Sequence, residues 1–308
     1  MAITLTSLAD LDRLGFDDII DVRAPAEYAE DHLPGAICLP VLDDAERARV
    51  GTIYKQVSPF SARKIGAALV ARNAAAHIEG PLADRPGSWR PLVYCWRGGQ
   101  RSGSFATILG QIGWRVETIA GGYKAWRGLV VKALYESPFP APVVVLDGNT
   151  GSAKTEILNL LPGLGVQVLD LEGLANHRGS LFGAVGPQPA QRAVEGRLAM
   201  EMAGLDPTRP VVVEAESSKV GECRLPPNLW KAMTAGAVHP KRTEVWLYLD
   251  EKSRPAEGSA QRIFAGVMRE VYGLYARITL AVAVSFFLIS VILMLFGHAP
   301  YVLPSTPQ

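Results

Sequence analysis

A chain of 308 residues with 31 basic and 30 acidic side chains and a formal net charge of +1 is long enough for about two domains, each with its own core. The balanced charge excludes nucleic-acid recognition through a global basic field, so any such contact has to come from local patches. Cys38, Cys95 and Cys223 are odd in number and far apart, which argues against a disulfide framework or a CxxC metal pair and fits a reducing cytosol. Residues 1–12 lack a basic run, so no signal peptide is expected.

In chain order, the first stretch alternates β and α patterns. Residues 19–22 read as a strand and 24–30 as a short helix, and His32-Leu33-Pro34-Gly35-Ala36 is turn chemistry. Residues 61–76 are Ala-rich and helical, and 79–88 form a Pro/Gly loop. Residues 92–95 are a strand ending at Cys95, and 102–111 a helix; 116–119 are a strand. Gly121-Gly122 then opens a helix carrying Tyr123, Trp126 and Leu129. Pro138, Pro140 and Pro142 mark residues 137–142 as a stiff, extended linker. Beyond it, strands are expected at 143–147, 166–170 and 210–214, with helices at 156–161 and about 189–202. Such alternation predicts an α/β fold with largely parallel sheets. Domain limits follow at 1–136 and 143–250.

The tail differs. A basic connector, residues 251–277, precedes 20 uncharged residues, 278–297, which open on Ile278 and close on Gly297; residues 298–308 follow. As a helix this run is about 30 Å long, the thickness of a bilayer core. It reads as a membrane anchor, with a buried core helix as the alternative. The basic residues before it place the catalytic part in the cytoplasm, at the inner face of the membrane.

Chemistry concentrates first at Cys95. A strand that stops at a cysteine, a loop of Trp96, Arg97, Gly98, Gly99, Gln100 and Arg101, and a helix after it would aim loop amides and a helix N-terminus at the sulfur. That field favours thiolate, the nucleophilic form. A buried core cysteine is the plainer alternative. Cys95 and Arg101 form C-x5-R, a spacing suited to wrapping a tetrahedral oxyanion, with the arginine as a forked cation. Two chemistries fit: transfer of sulfur or selenium on the cysteine, and phosphate-ester cleavage through a phosphocysteine. Spacing alone slightly favours the phosphatase.

The surroundings favour the transferase. Asp21-Val22-Arg23, Glu27-Tyr28 and the turn from His32 to Ala36 resemble the upstream signature of rhodanese sulfurtransferases, and Gly121-Gly122-Tyr123 with Trp126 resembles their closing motif. The resemblance implies that Cys95 is the chalcogen carrier and that Asp21 and Arg23 support the fold and loop. His32 reads as a turn residue and Cys38 as packing beside a strand.

In the second part, Gly148, Asn149, Thr150, Gly151, Ser152, Ala153, Lys154 and Thr155 come close to the P-loop pattern G-x-x-x-x-G-K-S/T, between a strand and a helix. The loop amides would cradle phosphates, Lys154 reach the outer oxygens and Thr155 hold Mg²⁺. Ala153 stands where the pattern has Gly, which weakens the case for rapid nucleotide hydrolysis. Glu214 and Glu216, at a strand end, are candidates for a metal or a water, or solvated carboxylates.

A rhodanese domain ahead of a P-loop domain resembles the tRNA 2-selenouridine synthases. So do Leu171 to Ser180, Phe182-Gly183, Gln188 to Gln191, Glu214 to Gly221 and Leu225-Pro226-Pro227. The resemblance implies a selenotransferase acting on the wobble 2-thiouridine of tRNA. Selenophosphate from a partner enzyme would be the selenium donor, and geranyl diphosphate the source of an S-geranylated intermediate, with no tightly bound cofactor. It further implies that Arg97 and Arg101 grip an anion and that Lys154 holds a diphosphate or phosphate. The likeness covers about residues 10–233. Beyond it, family members carry a further helical part expected to hold tRNA, where this chain has a strand-like 244–249, the basic connector and the apolar run. A membrane-tethered remnant that binds phosphorylated ligands without turnover is the non-enzymatic alternative.

Overall fold

A computed structural model of the chain describes residues 1–147, 154–178 and 186–235, and the backbone of 246–249. Gly148, Asn149, Thr150, Gly151, Ser152 and Ala153 of the expected phosphate loop lie outside the described residues. So do the basic connector and the apolar run 278–297. Among the described residues no helix is long and apolar enough to cross a membrane.

The first half runs β1 (Ala2–Ile3), α1 (Asp10–Arg13), β2 (Asp18–Asp21), α2 (Pro25–Glu30), β3 (Ala36–Cys38), α3 (Asp44–Gln56), α4 (Pro59–Glu79), β4 (Pro91–Tyr94), α5 (Gln100–Ile112), β5 (Glu117–Ile119) and α6 (Gly122–Val131), closed by a π-helical turn at Lys132–Glu136. Its five strands are parallel, in the order β1-β5-β4-β2-β3. Central β4 is buried at every position, as expected of an apolar run covered on both faces. Asp21 pairs in register with Tyr94, so the end of β2 lies beside the loop that begins at Cys95. Helix α3 has no counterpart among the expected elements. It starts on a capping box between Asp43 and Glu46 but buries none of its residues, so no apolar stripe announces it.

The second half runs β6 (Val143–Asp147), α7 (Lys154–Leu160), β7 (Gln167–Leu169), α8 (Leu171–Ala175), α9 (Gln191–Ala203), β8 (Val211–Glu214), β9 (Lys219–Val220), β10 (Cys223–Arg224), α10 (Pro227–Ala235) and β11 (Trp246–Leu249). The main sheet has the order β11-β6-β8-β7, parallel except for β11. Parallel strands put the C-terminal ends of β6, β7 and β8 on one edge, and there Asp147, Asp170 and Glu214 gather.

The two halves share one core. A single apolar cluster runs from Leu5, Leu92 and Trp126 through Leu134 and Ala141 to Val145, Leu198 and Val213. The seam is α6 against α9, where Gly196 lets the fully buried Trp126 ring approach the helix backbone. Arg127 pairs with Glu195, which also accepts from the Tyr135 hydroxyl at 2.6 Å and the Gln191 amide at 2.9 Å. Asn228 Nδ2 donates to the carbonyls of Ala133 at 2.9 Å and Ser137 at 3.1 Å, one within and one just after the turn that leads into the proline segment. Residues 137–142 therefore cross a packed seam, whereas proline content alone suggests a spacer between separate bodies.

This seam predicts a cost for the smallest added side chain. A Cβ at Gly196 would stand 2.7 Å from Trp126 Cη2, and a rigid, enclosed indole has little room to yield. Gly196→Ala is expected to destabilise the chain by about 1–3 kcal/mol, read as a lower urea midpoint. An unchanged midpoint would show that the seam contributes little.

Candidate functional site

The Cys95 loop is built from close backbone approaches. Gly98 sits at φ +65° and Gly122 at φ +56°, and a Cβ on either would run into the backbone of the other's segment. The Tyr123 amide donates to the Cys95 carbonyl at 2.8 Å and the Lys124 amide to the Trp96 carbonyl at 3.0 Å. Trp96 stacks on Tyr123 with ring centroids 5.2 Å apart. The Gly121-Gly122-Tyr123 segment is therefore the floor on which the loop rests, and only glycine fits the contact.

Cys95 is 3% exposed. Its Sγ lies 3.2 Å from the Ser102 hydroxyl and 3.3 Å from the Gly99 amide. Burial pushes the thiol pKa up. The Ser102 hydroxyl and amide, the Gly99 amide and the charge of Arg101 outweigh that, and the net shift is downward. The Ser102 hydroxyl also lies 3.2 Å from the Gly99 carbonyl. With one proton to give, it favours the sulfur once the sulfur is an anion, because hydrogen bonds to charged acceptors are the stronger ones.

Arg101 does not grip an open anion site here. Its guanidinium donates to the Glu27 carboxylate at 2.7 and 3.4 Å. Glu27 also accepts from the Ala24 amide at 3.2 Å and faces Arg47 at 3.7 Å. Burial raises the Glu27 pKa, and Arg101, with the Ala24 amide and Arg47, outweighs it, so the net shift is downward. Arg97, Gly98, Gly99 and Gln100 are exposed, so the loop's outer face is open while its sulfur is covered.

Asp21 and Arg23 lie beneath the loop as a buried pair, Nη2 to Oδ2 at 2.6 Å. The Tyr94 hydroxyl donates to Asp21 at 2.7 Å, and Arg23 donates to the Asp31 carbonyl at 2.6 Å. The Arg23 guanidinium lies 4.1 Å from the Tyr123 ring centroid, and Tyr123 donates its hydroxyl to Asp31 at 2.8 Å. His32 stacks on Tyr28 and contacts the Tyr28 carbonyl at 2.9 Å. Cys38 is half-buried on β3 and its thiol pKa is raised, chiefly by burial.

A second constellation lies at the β-strand edge of the other half. The carboxylates of Glu172, Glu214 and Glu216 offer oxygens all within 4.8 Å of one another. Burial first, then the charges of Glu172 and Asp170, pushes Glu214 up to about 8. Burial and Glu172 push Glu216 to about 7, with the Lys154 charge opposing. Thr155 Oγ1 contacts Glu172 at 3.4 Å, so the start of α7 faces the cluster. Oxygen donors of this kind suit a hard divalent cation such as Mg²⁺.

Ser102, Glu27 and Glu172 lie in stretches that motif reading singled out, but it gave none of them a role. Ser102 adjoins Arg101 in sequence, a signal that was present. The partners of Glu27 and Glu172 carry no local mark, because each is reached across the fold.

The family model described as the tRNA 2-selenouridine synthase AAA domain matches residues 141–243, and the rhodanese-like domain matches 4–129. The chain is 41% identical over 241 residues to a tRNA 2-selenouridine synthase from Pseudomonas syringae pv. tomato, covering 74% of this chain and 61% of that protein. One from Pseudomonas syringae pv. syringae is 40% identical, with 70% and 59% covered. One from Bordetella bronchiseptica is 37% identical over 276 residues, with 84% and 68% covered. The chain thus spans about three fifths of the length of the first two relatives.

Thiolate stabilisation at Cys95 is directly measurable. Removing the Ser102 hydroxyl takes from the anion a hydrogen bond that is stronger than any it makes with the neutral thiol, so the pKa should rise. Ser102→Ala is expected to move the midpoint of the Cys95 alkylation rate against pH upward and to slow alkylation at neutral pH, followed by mass spectrometry of the Cys95 peptide. A midpoint that stays in place would remove Ser102 from the sulfur's environment.

Proposed function

Because the chain belongs to the tRNA 2-selenouridine synthase family, we propose that it replaces sulfur by selenium at the wobble 2-thiouridine of tRNA. The observation that carries the reading is the buried Cys95 sulfur, covered by donors from Gly99 and Ser102, in one packed body with a second α/β half that matches the same family. Cys95 is the chalcogen-handling nucleophile. The glycine-backed loop holds its sulfur, and the outer face of the loop receives the donor anion. Arg101 reaches that anion by exchanging Glu27 for it, one carboxylate for another oxyanion of like geometry.

In this reading selenophosphate, made by a separate enzyme, is the selenium source, and geranyl diphosphate supplies the group for an S-geranylated intermediate. The start of α7, with Lys154 and Thr155, receives the diphosphate. Mg²⁺ bound at the adjoining carboxylates would neutralise phosphate charge there. The work of this chain's own residues is binding and charge placement: Lys154 as a point cation, Thr155 as a hydroxyl ligand, Glu214 and Glu216 as oxygen donors. The reaction belongs in the cytoplasm, where tRNA is. The phosphatase alternative has less support, since both halves of the chain match the synthase architecture.

The test supplies the purified full chain with selenophosphate, geranyl diphosphate and tRNA bearing 2-thiouridine, and then identifies nucleosides by mass spectrometry. The wild-type chain should form 2-selenouridine and Cys95→Ala should reduce it to background. Failure of the wild-type chain to form any selenonucleoside would overturn the reading.

A further inference from the structure

We propose that Glu172, Glu214 and Glu216 form a divalent-cation site, with Glu172 as a ligand contributed from α8 to the two carboxylates at the end of β8. Three carboxylates whose oxygens lie within 4.8 Å of one another repel when they ionise, with the Lys154 charge opposing this at Glu216. One of them is also fully inside the protein, since Glu214 is 1% exposed. Its Oε2 accepts from the Glu172 amide at 3.4 Å, whereas its Oε1 is buried and has no hydrogen-bond partner among the described residues. A buried carboxylate oxygen without a donor is costly to keep in the fold. A cation placed among the three groups supplies the missing partner and cancels the repulsion together.

The fold explains why the three meet. Glu214 ends β8, whose neighbours β6 and β7 run parallel to it. Glu216 follows two residues on, with Ala215 held by its amide to the Leu146 carbonyl at 2.9 Å. Glu172 sits in the first turn of α8, which begins where β7 ends. Asp170 caps that helix by accepting from the Gly173 amide at 2.7 Å, which leaves Glu172 to face β8. Thr155 reaches the same carboxylate from α7. An all-oxygen, anionic and partly open site of this size selects Mg²⁺ or Mn²⁺ over softer metals. The phosphate-bearing ligand that the cation would serve rests on the functional reading above; the cation site does not.

The experiment uses Mn²⁺ alone, with no tRNA or other substrate. Free Mn²⁺ is followed by electron paramagnetic resonance as the full chain is titrated, with Mg²⁺ as competitor. Wild type should bind one Mn²⁺ that Mg²⁺ displaces, and its melting temperature should rise with the ion. Glu214→Gln, Glu172→Gln and Glu216→Gln should each weaken binding by about tenfold or more through loss of a charged ligand. Glu156→Gln, at an exposed position of α7, should leave it unchanged. Circular dichroism checks each variant for folding. If Glu214→Gln does not fold, the two half-buried positions carry the test. Absence of Mn²⁺ binding by wild type, or unchanged affinity in the folded variants, would overturn the site. Because no chemistry is read, these outcomes are separate from those of the 2-selenouridine assay.

Discussion

The buried ion pair between Asp21 and Arg23 is the constraint from which the first half takes its shape. Both side chains are essentially sealed from water, and breaking such a pair by removing one partner costs about 3–5 kcal/mol. Its cost in desolvation is offset by further partners: Tyr94 reaches Asp21, and the Asp31 carbonyl and the Tyr123 ring take up Arg23. Those partners come from β4, from the end of α2 and from α6. One interaction therefore ties the central strand that delivers Cys95 to the helix whose glycine start underlies the loop.

The lowered thiol pKa of Cys95 depends on that scaffold rather than on a strong local charge. Burial alone would suppress the thiolate, and short, fixed hydrogen bonds reverse the balance. Such bonds work only if the loop does not move, and the contact between Gly98 and Gly122 is what holds it. Arg101 adds a long-range contribution while bonded to Glu27. This arrangement keeps both the cation and the carboxylate paired.

The second half places its charge differently. Parallel strands collect carboxylates at one edge, and the shared core with the first half sets that edge in a fixed frame. The α6–α9 seam, with Trp126 against Gly196 and Arg127 against Glu195, makes the two halves one packed body. The Cys95 loop and the carboxylate edge of the second half are then parts of a single structure.

Local pattern was enough for much of this. The apolar runs that become β4, β6 and β8, the turn at Pro34-Gly35, the cysteine at a strand end and the lysine at a helix start are all written in neighbouring residues, because strand, turn and cap preferences act over a few positions. Helix α3 escaped because it buries nothing and so shows no stripe. What sequence by itself determined was therefore the α/β class, the strands β2, β4 to β8 in their order along the chain, and Cys95 as the nucleophile candidate. Tertiary structure alone decided that Glu27 holds Arg101 across 74 positions, that Glu172 meets Glu214 across 42 and that a proline segment crosses a packed seam. Those contacts depend on register and on which helix packs where, and no window of adjacent residues carries that information.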